Sequence, residues 1–175
     1  GKVRVSYVRF IEPDPISDPP SWGANLIVPK SDTATLNELQ AAVMEAGVGK
    51  FGKRFSDNPK SFKLPFRDGD TDPKADESTK GAYFMSARNK RTCPAIVDSA
   101  MRPLAANAVK SGDYVVASVY CHAFDGKGQS GVSLILDAVQ FIVAGESLGG
   151  SGNPTALFES HGAPDAPATG AGSLL

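Results

Sequence analysis

Cysteine and histidine are scarce in this chain, with two of each in 175 residues. Cys93 and Cys121 cannot build a disulfide framework, so a reduced, intracellular protein is expected. Together with His122 and His161 they are too few and too scattered for a zinc site, and no metal or other cofactor is expected. Neither histidine lies near a nucleophile elbow, and no catalytic machinery stands out. No run approaches the ~20 apolar residues that a membrane-spanning helix requires. The start, Lys2-Val3-Arg4-Val5, alternates at once and has no apolar signal core, so secretion is not expected either. Gly47-Val48-Gly49-Lys50-Phe51 lacks the spacing and the hydroxyl of a phosphate loop. Gly145 to Gly152 opens no helix, which leaves a dinucleotide-binding fold unsupported.

Basic residues nearly vanish after position 110. Lys127 stands there against six acidic residues, whereas residues 1–110 carry a surplus of four positive charges. The surplus clusters. Residues 50–67 hold Lys50, Lys53, Arg54, Lys60, Lys63 and Arg67 against Asp57 alone, and residues 80–91 hold Lys80, Arg88, Lys90 and Arg91 with no acid. A polyanion responds to local potential rather than to a net charge of −1. Aromatic residues interleave with these cations: Phe51, Phe55, Phe62 and Phe66 in the first cluster, Tyr83 and Phe84 before the second. Single-stranded nucleic acid offers both phosphates and flat base faces, so cations alternating with rings suit it. The competing reading of the same rings is core packing.

Residues 2–11 alternate with a period of two, with Val3, Val5 and Tyr7 on one face, and read as a strand. Pro13, Pro15, Pro19 and Pro20 predict a loop over 12–22, followed by a short strand from Ala24 to Val28. Ser31-Asp32-Thr33 offers N-caps to a helix whose apolar positions are Leu36, Leu39, Val43 and Met44, with Gly47 as its C-cap. Residues 49–80 read as an extended, partly mobile surface excursion. Strands are expected at Gly81–Arg88 and Ala95–Val97, with a short helix between Ser99 and Lys110 interrupted by Pro103. Residues 113–124 and 131–144 predict a hairpin around a glycine-rich turn. From about residue 150, glycine, serine, proline and alanine predict a flexible tail. The fold class that results is mainly β: an OB-fold-like five-stranded barrel with one inserted α-helix and long surface loops. The helix follows the second strand rather than the third. The expected domain is 1–149, with 150–175 as the tail.

Asp68-Gly69-Asp70-Thr71-Asp72 begins like a calcium loop, but Pro73 stands where glycine is required and Thr79 where glutamate is required. With Asp76 and Glu77, these carboxylates make a metal-dependent nuclease the best enzymatic alternative.

Several segments resemble one family. They are Phe62-Lys-Leu-Pro-Phe-Arg-Asp-Gly-Asp, Gly81-Ala-Tyr-Phe-Met-Ser-Ala-Arg-Asn-Lys, Pro94 to Asp98, Ser111 to Asp125, and Lys127 to Gln140. In this order they resemble the bacteriophage single-stranded-DNA-binding proteins with an OB fold, over residues 2–150. The resemblance implies a non-enzymatic protein that coats single-stranded DNA without strong sequence preference during phage replication, recombination and repair. It further implies a homodimer, contacts with phage replication proteins, and a place in the cytoplasm of the infected bacterial host. An acidic tail is common in such proteins; this chain has only Glu159 and Asp165 there and ends Ser173-Leu174-Leu175. A phage interaction module that binds no nucleic acid is the remaining alternative. Taken with the charge pattern, the resemblance points to Lys50, Lys53, Arg54, Lys63, Arg67, Arg88, Lys90 and Arg91 as phosphate contacts. Tyr83 or Phe84, one of which can face a groove, and Tyr120 or Phe124 are the stacking candidates, with Lys127 closing over the strand.

Overall fold

The computed structural model describes residues 1–126 and 128–148. Strand β1 (Val3–Asp14) pairs antiparallel with β2 (Ser21–Pro29), and β2 pairs with β4 (Ala82–Asn89). On its other side β1 pairs with β6 (Tyr114–Gly126), which forms a long hairpin with β7 (Gln129–Val143). One parallel pair, Ala87 with Leu134, joins β4 to β7 and closes a ring of five strands. The two-residue strand β3 (Arg67–Asp68) flanks β4, and β5 (Ala95–Val97) flanks β7. This is the expected OB-like barrel, and the helix does follow its second strand.

Period-two alternation fills the interior. Ala24, Leu26 and Val28 of β2, Met85 and Ala87 of β4, Val115 of β6, and Val132, Leu134 and Leu136 of β7 are all buried in one cluster. Strand β1 departs from the expected pattern. Val3 and Val5 face inward, but Tyr7 has φ 50° at a register shift between Ser6 and Arg9. The bulge changes parity: Ser6 is buried, Val8 and Phe10 pack on the core, and Tyr7 and Arg9 turn outward. The proline-rich loop is shorter than predicted because β1 runs through Pro13 to Asp14 and β2 starts at Ser21.

Helix α1 spans Thr33–Phe51, with the Asp32 side chain accepting from the Thr35 N–H at 3.1 Å. Leu36 and Val43 are buried, but Met44 is exposed. Gly47 is not the C-cap. The helix runs one turn further to Gly52, whose positive φ (59°) ends it, and Gly47 sits where any side chain would enter the ring of Phe55. Phe55 lies on the short helix α2 (Lys53–Asp57). Its ring is 5.0 Å from that of Phe62, and Phe62 is 4.8 Å from Phe51. Residues 49–66 are therefore a folded subcore and no extended excursion; of the interleaved phenylalanines Phe55 and Phe62 are buried inside it, and Phe51 packs half-buried against them. Phe66 is half-buried against the same cluster.

No helix forms between Ser99 and Lys110. Asp98 Oδ1 accepts from the N–H groups of Ala100 and Arg102, which turns the chain back so that Pro103 pairs with Val97. The hairpin turn is tighter than expected, because pairing continues to Gly126 and Gln129. Beyond β7, the Glu146 carbonyl accepts from Arg4 at 2.7 Å and Leu148 N–H donates to Ser111 O. The predicted tail from residue 150 lies outside the described residues.

Candidate nucleic-acid interface

The outer faces of β2, β4 and β7 carry the residues that alternate with the core: Asn25 on β2, Phe84, Ser86 and Arg88 on β4, Ser133 and Ile135 on β7. Three hollows run across them. The first, about 460 Å³, lies between β1 and β4 and is lined by Tyr7, Arg9, Asn25, Arg67, Phe84, Ser86 and Arg88 among others. The second, about 530 Å³, continues over β7 and β6 with Lys63, Arg67, Ser86, Arg88, Lys90, His122 and Phe124. A third, about 370 Å³, holds Arg54, Lys60 and Lys63 beside the hairpin turn. Arg67, Ser86 and Arg88 belong to the first two hollows and Lys63 to the last two, so they form one continuous groove that crosses the barrel seam.

Arg88 stands at its centre. Gly23 pairs with it on β2, and a side chain at 23 would collide with the β4 backbone and crowd the Arg88 stem. The guanidinium lies against this gap with Nη2 3.4 Å from Asn25 Oδ1, while Nη1 is buried without a hydrogen-bond partner. Burial lowers its pKa from the usual arginine value; Asp14 opposes that shift and Arg9 adds to it. An unpaired buried donor costs free energy until an acceptor arrives, and phosphate or carbonyl oxygen would supply one.

The other predicted site residues divide clearly. Lys63, Arg67, Lys90 and Phe124 line the groove, and Arg54 lines its third hollow with its guanidinium 5.6 Å from the Phe62 ring. Phe84 is the member of its pair that faces the groove, as a floor residue only 5% exposed. Tyr83 points to the core side of β4, with the Lys30 ammonium 5.3 Å from its ring. Lys50, Lys53 and Arg91 are exposed but line none of these hollows. Tyr120, 51% exposed, pairs with the groove residue Ile135 at the edge. Lys127 lies outside the described residues.

The carboxylate loop is committed elsewhere. Lys30 Nζ sits 2.6 Å from both Asp68 and Asp70, and hydrogen bonds from Lys30 hold both carboxyls below the usual range. Asp72 pairs with Arg67 at 3.5 Å, and Asp76 caps the 3-10 turn Glu77–Thr79. Among the described residues no three His, Cys, Asp or Glu side chains are placed to hold a metal. Nor is any described helix long and apolar enough to cross a membrane.

The family described as Enterobacter phage Enc34, ssDNA-binding protein, matches residues 1–167. The chain belongs to that family. Protein p50 of Acyrthosiphon pisum secondary endosymbiont phage 1 is 32% identical over 164 residues, 87% of this chain and 86% of p50. The single-stranded DNA-binding protein from bacteriophage Enc34, solved in complex with ssDNA, superposes with a TM-score of 0.72 at 20% identity, covering 85% of this chain and 86% of that one. Gp2.5, a single-stranded DNA binding protein encoded by bacteriophage T7, superposes at 0.57 and 15% identity, covering 84% and 91%. These structural likenesses show a shared fold.

In this Enc34-family chain, Tyr7, Arg9, Asn25 and Lys74 line the groove although no sequence signal singled them out. Tyr7 and Arg9 were hidden by the β1 bulge, which reverses the face that period-two counting assigns to Tyr7. Lys74 sits in the acidic loop, where local charge averages it away.

Proposed function

We propose that this protein binds single-stranded DNA in the groove, coating it without strong sequence preference during phage replication, recombination and repair in the host cytoplasm. The observation that carries the reading is the continuity of the groove: Arg9, Arg67, Arg88, Lys63, Lys90 and Arg54 follow one another across a face whose rings include Tyr7, Phe84 and Phe124. Cations along the path neutralise phosphates and release counterions, and each stacked base adds about 1–3 kcal/mol. Membership of the phage ssDNA-binding family supports the same role. So does the pairing of Asp68 and Asp70 with Lys30, which favours binding over metal-dependent cleavage. The homodimer and the contacts with replication proteins belong to the same proposal. Exposed Val116 and Ile142, on the β6–β7 hairpin away from the groove, offer apolar surface for such contacts.

Anisotropy of fluorescein-labelled oligo-dT across ionic strength tests the reading. Four to six neutralised phosphates give a slope of log affinity against log salt of roughly −3 to −4. Salt-independent binding, or cleavage of the oligonucleotide with Mg²⁺ that a chelator stops, would overturn it. Trp22 shares its parity with core-facing Ala24 and Leu26, so an extrinsic label is the better probe.

A further inference from the structure

At the β1 end, the groove contains groups that a phosphate track does not need. Asp14 closes β1 and lines the first hollow. Its Oδ1 accepts from the Ile16 N–H at 3.1 Å, and its Oδ2 has no partner among the described residues. A carboxylate repels phosphate, yet this one shares the hollow with Arg88 and makes no ion pair with it among the described residues. Arg88 Nη1 meanwhile lacks an acceptor. Asp14, an acceptor-only group, and Arg88, a donor-only group, thus line one hollow of about 460 Å³ without pairing with each other. The hollow is also walled for a flat ligand: Tyr7 is 60% exposed, Ile16 is 92% exposed, and Phe84 forms the floor. Tyr7 holds φ 50°, a strained conformation for a bulky side chain, and its hydroxyl donates to Asp76 Oδ2 at 3.3 Å.

We propose that this hollow is a nucleobase subsite that favours guanine, with Asp14 accepting from the N1–H and the 2-amino group, Arg88 donating to O6, and Tyr7 stacking on the ring. The proposal rests on the groove being the path of single-stranded DNA and adds one base preference to an otherwise tolerant site. Guanine alone among the four bases presents two adjacent donors followed by an acceptor on one edge. Thymine presents a single N–H between two carbonyls, whose oxygens would face the carboxylate. Cytosine and adenine each offer one amino group and leave one carboxylate oxygen without a donor. The preference is carried by groups left unpaired with the wrong base, which is how polar sites discriminate strongly.

The test is a competition series with oligo-dT carrying one central replacement by dG, dI, dC or dA. A central residue can slide into the subsite whatever the register of the remaining strand. The dG oligonucleotide is expected to bind about five- to tenfold tighter than all-dT. The dI oligonucleotide, which lacks the 2-amino group, should fall between them. Asp14→Asn keeps the acceptor that holds Ile16 N–H; it removes a charge that repels phosphate, so all-dT affinity is expected to rise while the ratio of dG to all-dT affinity falls to about one. Tyr7→Leu should weaken every oligonucleotide alike. Equal affinity for all five, another base ranking first, or a dG preference that survives Asp14→Asn would overturn the proposal. Failure of the unmodified protein to bind all-dT would defeat the reading of the groove itself, whereas firm all-dT binding without discrimination would defeat the subsite alone.

Discussion

Arg88 shows how one residue can weigh against folding and for binding. Its guanidinium gives up water on folding, gains one long hydrogen bond to Asn25, and leaves Nη1 unpaired. A half-buried charge in that state is a net burden on the free protein, which the proposed binding of DNA in the groove would offset. Arg88→Met keeps the length of the stem over Gly23 and removes the charge. Its melting temperature is expected to match or exceed that of the parent by a few degrees, while oligo-dT affinity drops at least fivefold. Thermal unfolding and anisotropy on the same samples check both halves. Neighbouring Tyr83 and Phe84 show the limit of reading at this scale. Alternation places them on opposite faces, yet which face is the groove depends on strands β1 and β7, far away in the chain.

Helix α1 illustrates the same division among elements. Its start was legible because an N-cap is a local hydrogen bond, here from Thr35 N–H to Asp32. Its end was not, because Gly47 answers to Phe55 across a tertiary contact rather than to a local turn. Two glycines only two residues apart in α1, and so on opposite faces of the helix, should therefore respond in opposite directions. Gly49 faces open space, and Gly49→Ala is expected to stabilise the protein by about 0.5–1 kcal/mol through helix propensity. Gly47→Ala forces its methyl group into the Phe55 ring, and the overpacking cost of about 1–3 kcal/mol exceeds that gain. Urea unfolding of the two variants provides the comparison. The phenylalanines of residues 51–62 belong to the same lesson: their spacing fitted both a platform and a core, and contact with one another and, for Phe55, with Gly47 of α1 decided for the core. The β1 bulge was equally hidden, since nothing in Ser6-Tyr7-Val8 marks a residue in the left-handed region.

Across the whole molecule, the barrel, its five ring strands and the inserted helix were readable from hydrophobic period and turn chemistry, which are short-range signals. The groove was readable only in part, because it is assembled from β1, β2, β3, β4, β6, β7 and the loops beside them, whose order in space is not their order in the chain. Its course matters mechanically. The ring closes through a single backbone pair, Ala87 with Leu134, while β6 and β7 pair along nearly their whole length. A strand lying in the groove touches both sides of this weak joint. Binding of oligo-dT is expected to raise amide-exchange protection most at residues 86–89 and 131–135, with a rise in melting temperature that follows ligand concentration. Uniform protection across the barrel would contradict that course. Beside the joint, Gly131 lies under the backbone of Lys63, which exchanges hydrogen bonds with Ser130 and Val132, and no side chain fits between them. If DNA lies in the groove as proposed, position 131 is a tuning screw: a mutation there would lift the bank that carries Lys63 and Arg54 and slacken the grip on a ligand it never meets. Related phages could adjust how readily their protein lets go of a strand without altering one residue that holds it.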